Sequence, residues 1–221
     1  MGSLARQLLP RMRRYLGISC LRVLERAPGM ASVARSPAGI GCRALTEKEA
    51  VAFAADPTLQ MDAQGARSAY ARGGVCLGAL RGGRLVGYTW LAYGDTPYAR
   101  GVWIALDPAL RYSYKSFVRP ECRGQRIIQA LHAHADQPAL WRGRRRSIDF
   151  VAAENFASLT ALDRTGARTL GYVTYVRLFG ALIAFRSAGV RRAGIGLYAP
   201  PARRIADRMR AWLDPSQRSS A

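Results

Sequence analysis

The stretch Ser116-Phe117-Val118-Arg119-Pro120-Glu121-Cys122-Arg123-Gly124-Gln125-Arg126-Ile127-Ile128 decides how this 221-residue chain is read. An extended segment from Tyr112 to Val118 runs into a Pro120 turn. Gly124 then stands just before Gln125 to Ala135, whose spacing predicts a helix. The first N–H groups of a helix have no intrahelical partner and, with the helix dipole, form a site for an anion. Gly124 permits close approach of a phosphate to the backbone, and Arg123 and Arg126 add mobile positive charge. That order of parts suits a pyrophosphate. A plain strand–helix junction with surface arginines fits the same residues, because a lone glycine turn is weak evidence.

Working outward, the downstream pattern is a buried strand over Ser147 to Ala152, a helix over Asn155 to Arg164 ended by Gly166, and a closing strand over Leu170 to Phe179. Upstream, Gly41 to Leu45 reads as a strand, and Thr46 caps a helix through Phe53 with Glu49 completing a capping box. A helix over Asp62 to Arg72 precedes two strands, Val75 to Leu80 and Arg84 to Tyr93, joined at Arg81-Gly82-Gly83, a hairpin turn. Val102 to Ala105 and Tyr112 to Val118 are strand material around an Asp107-Pro108 turn. At the start of the chain, Leu4, Leu8, Met12, Leu16 and Val23 fall near one face of a predicted helix over Leu4 to Arg26. A short basic helix is expected over Ile205 to Leu213.

Three segments resemble the GNAT superfamily of acyl-CoA-dependent acyltransferases. Val118 to Ile127 is similar to the family's V-x-P-x-x-R-G-x-G segment, with Arg126 where the last glycine usually stands. Asn155-Phe156-Ala157-Ser158-Leu159, followed by Gly166 and Gly171-Tyr172, resembles the family's N-x-x-A/S helix and its glycine turn. Arg43 to Ala50 is like a common family start, and together the three cover about residues 40 to 180 in the family's order. The resemblance implies an α/β (α+β) fold: a mixed, twisted central sheet with splayed middle strands, flanked by helices. Residues 39–180 would form this domain, with a basic amphipathic segment and linker at 1–38 and a basic extension at 181–221.

The donor implied by the resemblance is acetyl-CoA or another acyl-CoA, with an acyl carrier protein as the alternative. By the same resemblance, the main chain of Phe117 and Val118 would pair with the pantetheine amides. Arg123, Gly124, Gln125, Arg126, Ile127 and Ile128 would cradle the pyrophosphate. Asn155 would contact the pantetheine arm, and Ser158 would sit near the thiol end. The family usually protonates the leaving thiolate with a tyrosine on the later helix; here Leu162 occupies that position, and Ala167 replaces the expected aromatic. Three explanations stand: another tyrosine substitutes, solvent protonates the thiolate, or catalysis is lost. Tyr112, Tyr114 and Ser116 alternate onto one face of their strand, which makes Tyr114 the first candidate acid and half-buried strand aromatics the plainer reading. Glu154 is the candidate base for an amine that arrives protonated, and Asp107 the second, with a turn role as its alternative.

Composition limits the remaining choices. Lys and Arg number 34 against 14 Asp and Glu, a net charge of +20, and only Lys48 and Lys115 are lysines. The excess is concentrated at the ends, with 7 basic against 1 acidic residue over 1–38 and 9 against 2 over 177–221. This field favours an anionic partner: nucleic acid, a lipid surface or a polyphosphate. Trp141-Arg142-Gly143-Arg144-Arg145-Arg146 reads either as a nucleic-acid patch or as a solvated loop. Cys20, Cys42, Cys76 and Cys122 are dispersed, and His132 and His134 read as surface helix residues, so no metal site is expected. No apolar run reaches the ~20 residues that span a bilayer. The expected protein is cytoplasmic. Its basic amphipathic ends leave open peripheral attachment to an anionic inner-membrane surface, packing on the domain, or, at the N-terminus, a transit peptide. The functions in view are acyl transfer to an amine, acyl-CoA binding without catalysis, and acetylation of an amine linked to a transfer RNA.

Overall fold

The computed structural model describes residues 18–30, 37–99, 101–178 and 181–199. Strand β1 covers Ser19–Arg26 and β2 Gly41–Ala44. Helix α1, Glu47–Phe53, starts with the expected capping box: the Thr46 side chain accepts from the Glu49 backbone, and the Glu49 carboxylate accepts from the Thr46 N–H. The Asp62 side chain caps α2, Ala63–Ala71, by accepting from the Gln64 and Gly65 N–H groups. The hairpin of β3 (Val75–Arg81) and β4 (Arg84–Ala92) turns through Gly82 and Gly83, both at positive φ, the backbone that such a two-residue turn demands. Then come β5 (Thr96–Ala99), β6 (Val102–Ala105) and β7 (Leu110–Val118), α3 (Ile127–Ala135), β8 (Arg146–Ala152) and α4 (Phe156–Asp163). The described part closes with β9 (Arg168–Leu178), β10 (Ala181–Arg186), α5 (Ala188–Arg192) and β11 (Gly196–Tyr198).

Eight strands form one mixed sheet in the order β10-β9-β1-β8-β7-β4-β3-β2. Every neighbouring pair is antiparallel except β7 and β8, which run parallel. Helices α3 and α4 cover one face. α3 packs Ile127, Leu131 and Ala135 on Leu77, Ala79 and Leu91, and α4 packs Leu159 and Leu162 on Leu24 and Val151. The other face is covered in two parts. α1 and α2 lie over Cys76, Tyr88 and Trp90, while a small sheet ordered β11-β6-β5, with α5, covers Leu21, Val23, Tyr112 and Ile148.

Two expectations are corrected here. The helix expected over Leu4 to Arg26 is a strand from Ser19 onward, inserted between β8 and β9 (Val23 opposite Phe150 and Gly171). Along Ser19–Arg26 the apolar residues Leu21 and Val23 alternate in period two into one core, and a strand buries them where a helix would not. Its charged residues are tied inside the protein. Glu25 accepts from Arg146 and Arg168, each at 3.0 Å, and Arg26 pairs with Asp136 at 3.4 Å. For the same reason the folded unit exceeds 39–180. β1 lies within the sheet, and β10 extends it beyond β9, so Leu170 to Phe179 does not close it. The apolar face at Leu4 to Leu16 and the segment Ile205 to Leu213 lie outside the described residues.

Candidate active site

The site begins where β7 and β8 stop pairing. Their parallel register runs from Leu110 opposite Arg146 to Ser113 opposite Asp149 and ends there. Beyond that point β7 stays paired with β4 as far as Val118, while β8 stays paired with β1 as far as Ala152. The two strands therefore part like the arms of a V. A cleft of about 1030 Å³ opens between them, lined by Tyr114, Phe117 and Val118 from one arm and Phe150 and Ala152 from the other. At the mouth lie Arg123, Gly124, Arg126, Ile127 and Ile128, and Asn155, Ser158 and Leu162 come in from α4.

The backbone at the mouth is open. Gly124 sits at φ +77, and a Cβ built on it would meet nothing within 4 Å, so the main chain is bare toward the cleft. Arg126, the departure from the family pattern, has φ +58 and precedes the first residue of α3. It holds the left-handed conformation that glycine adopts without strain. Gly87 lets the helix start sit close: a Cβ there would lie 2.9 Å from Ile127 Cγ2 and 3.0 Å from the Phe117 carbonyl oxygen.

The other expected residues divide. Phe117 stacks on Tyr88 at 5.6 Å, and its strand neighbour Val118 also faces the cleft. Asn155 Oδ1 caps α4 by accepting from the Ser158 N–H at 3.1 Å, leaving its amide nitrogen as the donor on that side chain. Gln125 is not among the lining residues; its side chain accepts from Arg81 at 2.5 Å. Glu154 does not line the cleft either, and Asp107 accepts from the Ala109 N–H at 2.7 Å, a turn role. Tyr114 does line it, between Tyr112 at 5.1 Å and Trp90 at 6.4 Å, and burial raises its pKa. Tyr112 is buried away from the cleft in the core under β6, so it is not an alternative to Tyr114.

A bulge re-aims β7 beside Tyr114. Lys115 has φ +50, and the register with β4 slips between Tyr88 and Trp90. Ser116 consequently leaves the face of Tyr112 and Tyr114. Its hydroxyl and that of Ser113 both reach Thr89 Oγ1, at 2.8 and 3.3 Å, on the side of α3.

The residue that sequence reasoning missed is Asp149. It closes the apex of the V, is 4% exposed, and its Oδ2 has no hydrogen-bond partner among the described residues. Burial pushes its carboxyl up to about 6, against the pull of the Arg26 guanidinium, the Ser113 hydroxyl and the Arg111 guanidinium. Behind it Arg26 and Arg111 share Asp136, and Arg26 lies 2.7 Å from His132 Nδ1. His132 is fully buried, against the surface position expected; burial and the two guanidiniums hold its pKa well below the ordinary value. The signal for Asp149 was one acid within the apolar strand Ile148-Asp149-Phe150-Val151.

No family model and no curated protein matches the chain. Solved structures do. A functionally unknown conserved protein from Staphylococcus epidermidis is 14% identical with a TM-score of 0.52, over 79% of this chain and 66% of that one. A GCN5-related N-acetyltransferase from Kribbella flavida is 16% identical, with a TM-score of 0.49 over 80% and 62%. A tandem GNAT protein from the clavulanic acid biosynthesis pathway is 19% identical, with a TM-score of 0.47 over 71% and 53%. The likeness is one of fold: a mixed sheet flanked by helices. The chain spans about half to two thirds of the length of the first structures it matches.

Three of the four arginines in the run after α3 bind the protein itself. Arg142 lies 4.3 Å over the Tyr93 ring and donates to the Gly73 carbonyl; Arg144 donates to Pro108 and Tyr93 carbonyls, and Arg146 pairs with Glu25. Among the described residues no helix is long and apolar enough to cross a membrane.

Proposed function

We propose that this chain transfers an acyl group from coenzyme A to an amine. The observation that carries the reading is the parting of β7 and β8 directly beneath the bare, basic start of α3. An extended arm with two amides fits between strand edges whose backbone groups no longer pair with each other. A pyrophosphate fits the helix start, where free N–H groups, Arg123 and Arg126 converge. The residues therefore suit coenzyme A, which enters as the donor substrate and supplies an activated thioester. Phe117 and Val118 would hold its arm by their main chain, Asn155 by its amide nitrogen, and Ser158 would lie toward the thiol. The acceptor amine must lose a proton before attack.

A second reading, donor binding without turnover, is favoured by Leu162 in place of the usual tyrosine. Native mass spectrometry of the purified protein tests the proposal, because a co-purified acyl-CoA would reveal donor and acyl chain together. Protein that carries none, and takes up none from added acetyl-CoA, would end both readings.

A further inference from the structure

Leu162 leaves the expected proton donor missing, and the cleft offers a replacement on the same side of the sheet. Resting on the acyltransferase reading, we propose that Asp149 is the acid that protonates the departing thiolate. Leu162 packs on Leu24 and Val151. Leu24 is the β1 partner of Asp149, and Val151 lies two residues along β8, on the same face as Asp149. The position that lacks the hydroxyl and the buried carboxyl are thus neighbours over one patch of sheet. Asp149 is also the one carboxylate among the cleft-lining residues. An arm entering between the open ends of β7 and β8 ends toward the apex that Ser113 and Asp149 close.

The protonation chemistry favours Asp149 over Tyr114. An alkyl thiol such as that of cysteine ionises near ~8.5, so a proton moves downhill to the thiolate from a carboxyl held at about 6. Burial raises Tyr114 above the ordinary tyrosine value, which makes it a poorer donor than an ordinary tyrosine. It also lies on the opposite face, with Tyr112 and Trp90. The groups acting on Asp149 are Arg26 on β1 and Arg111 and Ser113 on β7; His132 on α3, kept neutral by burial, and Asp136 just beyond it lie against the two arginines, and Arg164 lines the cleft from the end of α4. The two guanidiniums stabilise the carboxylate that the transfer leaves behind. Filling the cleft removes water and favours the protonated form further.

In the step itself, the amine nitrogen bonds to the thioester carbon and the C–S bond breaks, its electron pair going to sulfur. The Asp149 O–H proton goes to that sulfur. The ammonium sheds two protons on becoming an amide; one restores Asp149 and the other leaves to water.

The test uses the full chain at about pH 6, where Asp149 still holds its proton in about half the molecules, with acetyl-CoA as donor and hydroxylamine, about half of it neutral there, as acceptor. Asp149→Asn should lower kcat roughly 10²-fold while acetyl-CoA affinity stays within about twofold. Adding Leu162→Tyr to that variant should restore at least about tenfold of the loss. Asp149→Asn as fast as wild type, or a loss that Leu162→Tyr leaves untouched, overturns the proposal while acyl transfer stands. A wild-type protein that neither binds nor consumes acetyl-CoA ends the acyltransferase reading and the proposal with it. A measurement without variants is ¹³C-carboxyl titration of the wild type. The Asp149 resonance should titrate near 6 and move upward when coenzyme A is added. Titration near the ordinary value, unmoved by coenzyme A, overturns the proposal.

Discussion

Arg126 shows how much one residue's backbone can say. In the sequence it is a departure from the resembled pattern, and its side chain gives no hint of why the pattern tolerates it. At φ +58 it occupies the conformation that the replaced glycine would hold at ease. A non-glycine residue there costs about 1–2 kcal/mol, partly offset by the roughly 0.5–1 kcal/mol of chain entropy that a glycine would lose on folding. Arg126→Gly should therefore stabilise the protein by up to about 1 kcal/mol, read as a rise of roughly 1–4 °C in Tm. A fall in Tm would mean that the guanidinium itself holds the turn. Asp149 is the opposite case: its residue type was visible, but its chemistry comes from its surroundings. Arg26, Arg111 and Ser113 reach it from two other strands, and no local pattern joins positions 26, 111, 113 and 149.

At the scale of elements, the local signals read correctly and the long-range ones did not. The capping box at Thr46 and Glu49, the Gly82-Gly83 hairpin and the helix that starts at Asn155 and ends before Gly166 are written in residues close together in the chain, and the structure contains all three. β1 is written in partners more than a hundred residues away. Arg22, Glu25 and Arg26 look like the polar face of a helix until Thr169, Arg146, Arg168 and Asp136 are placed beside them. The bulge at Lys115 was equally silent, so Ser116 was assigned to the wrong face. One element contact bears directly on the site, that of α3 on β4 at Gly87. Gly87→Ala would force its Cβ against Ile127 and the Phe117 carbonyl, displacing the helix start from the sheet. It should cost about 1–3 kcal/mol of stability and weaken acetyl-CoA binding as well. Wild-type Tm and affinity in this variant would show that the helix start does not depend on that close approach.

For the whole molecule, the +20 charge favours an anionic partner without choosing among nucleic acid, a lipid surface and a polyphosphate. Much of it near the site is engaged internally: Arg142, Arg144 and Arg146 hold a loop, and Arg26 and Arg111 support the apex of the cleft. The anion site proposed here is narrower, the bare turn at Gly124 above the gap between β7 and β8. The central claim is that this turn receives the pyrophosphate of an acyl-CoA, and isothermal calorimetry with acetyl-CoA tests it most directly. The wild type should bind one equivalent. Gly124→Glu, whose side chain enters open space with a negative charge, should lose at least about 10²-fold in affinity while remaining folded by its melting transition. Equal affinity in wild type and folded Gly124→Glu would contradict the account.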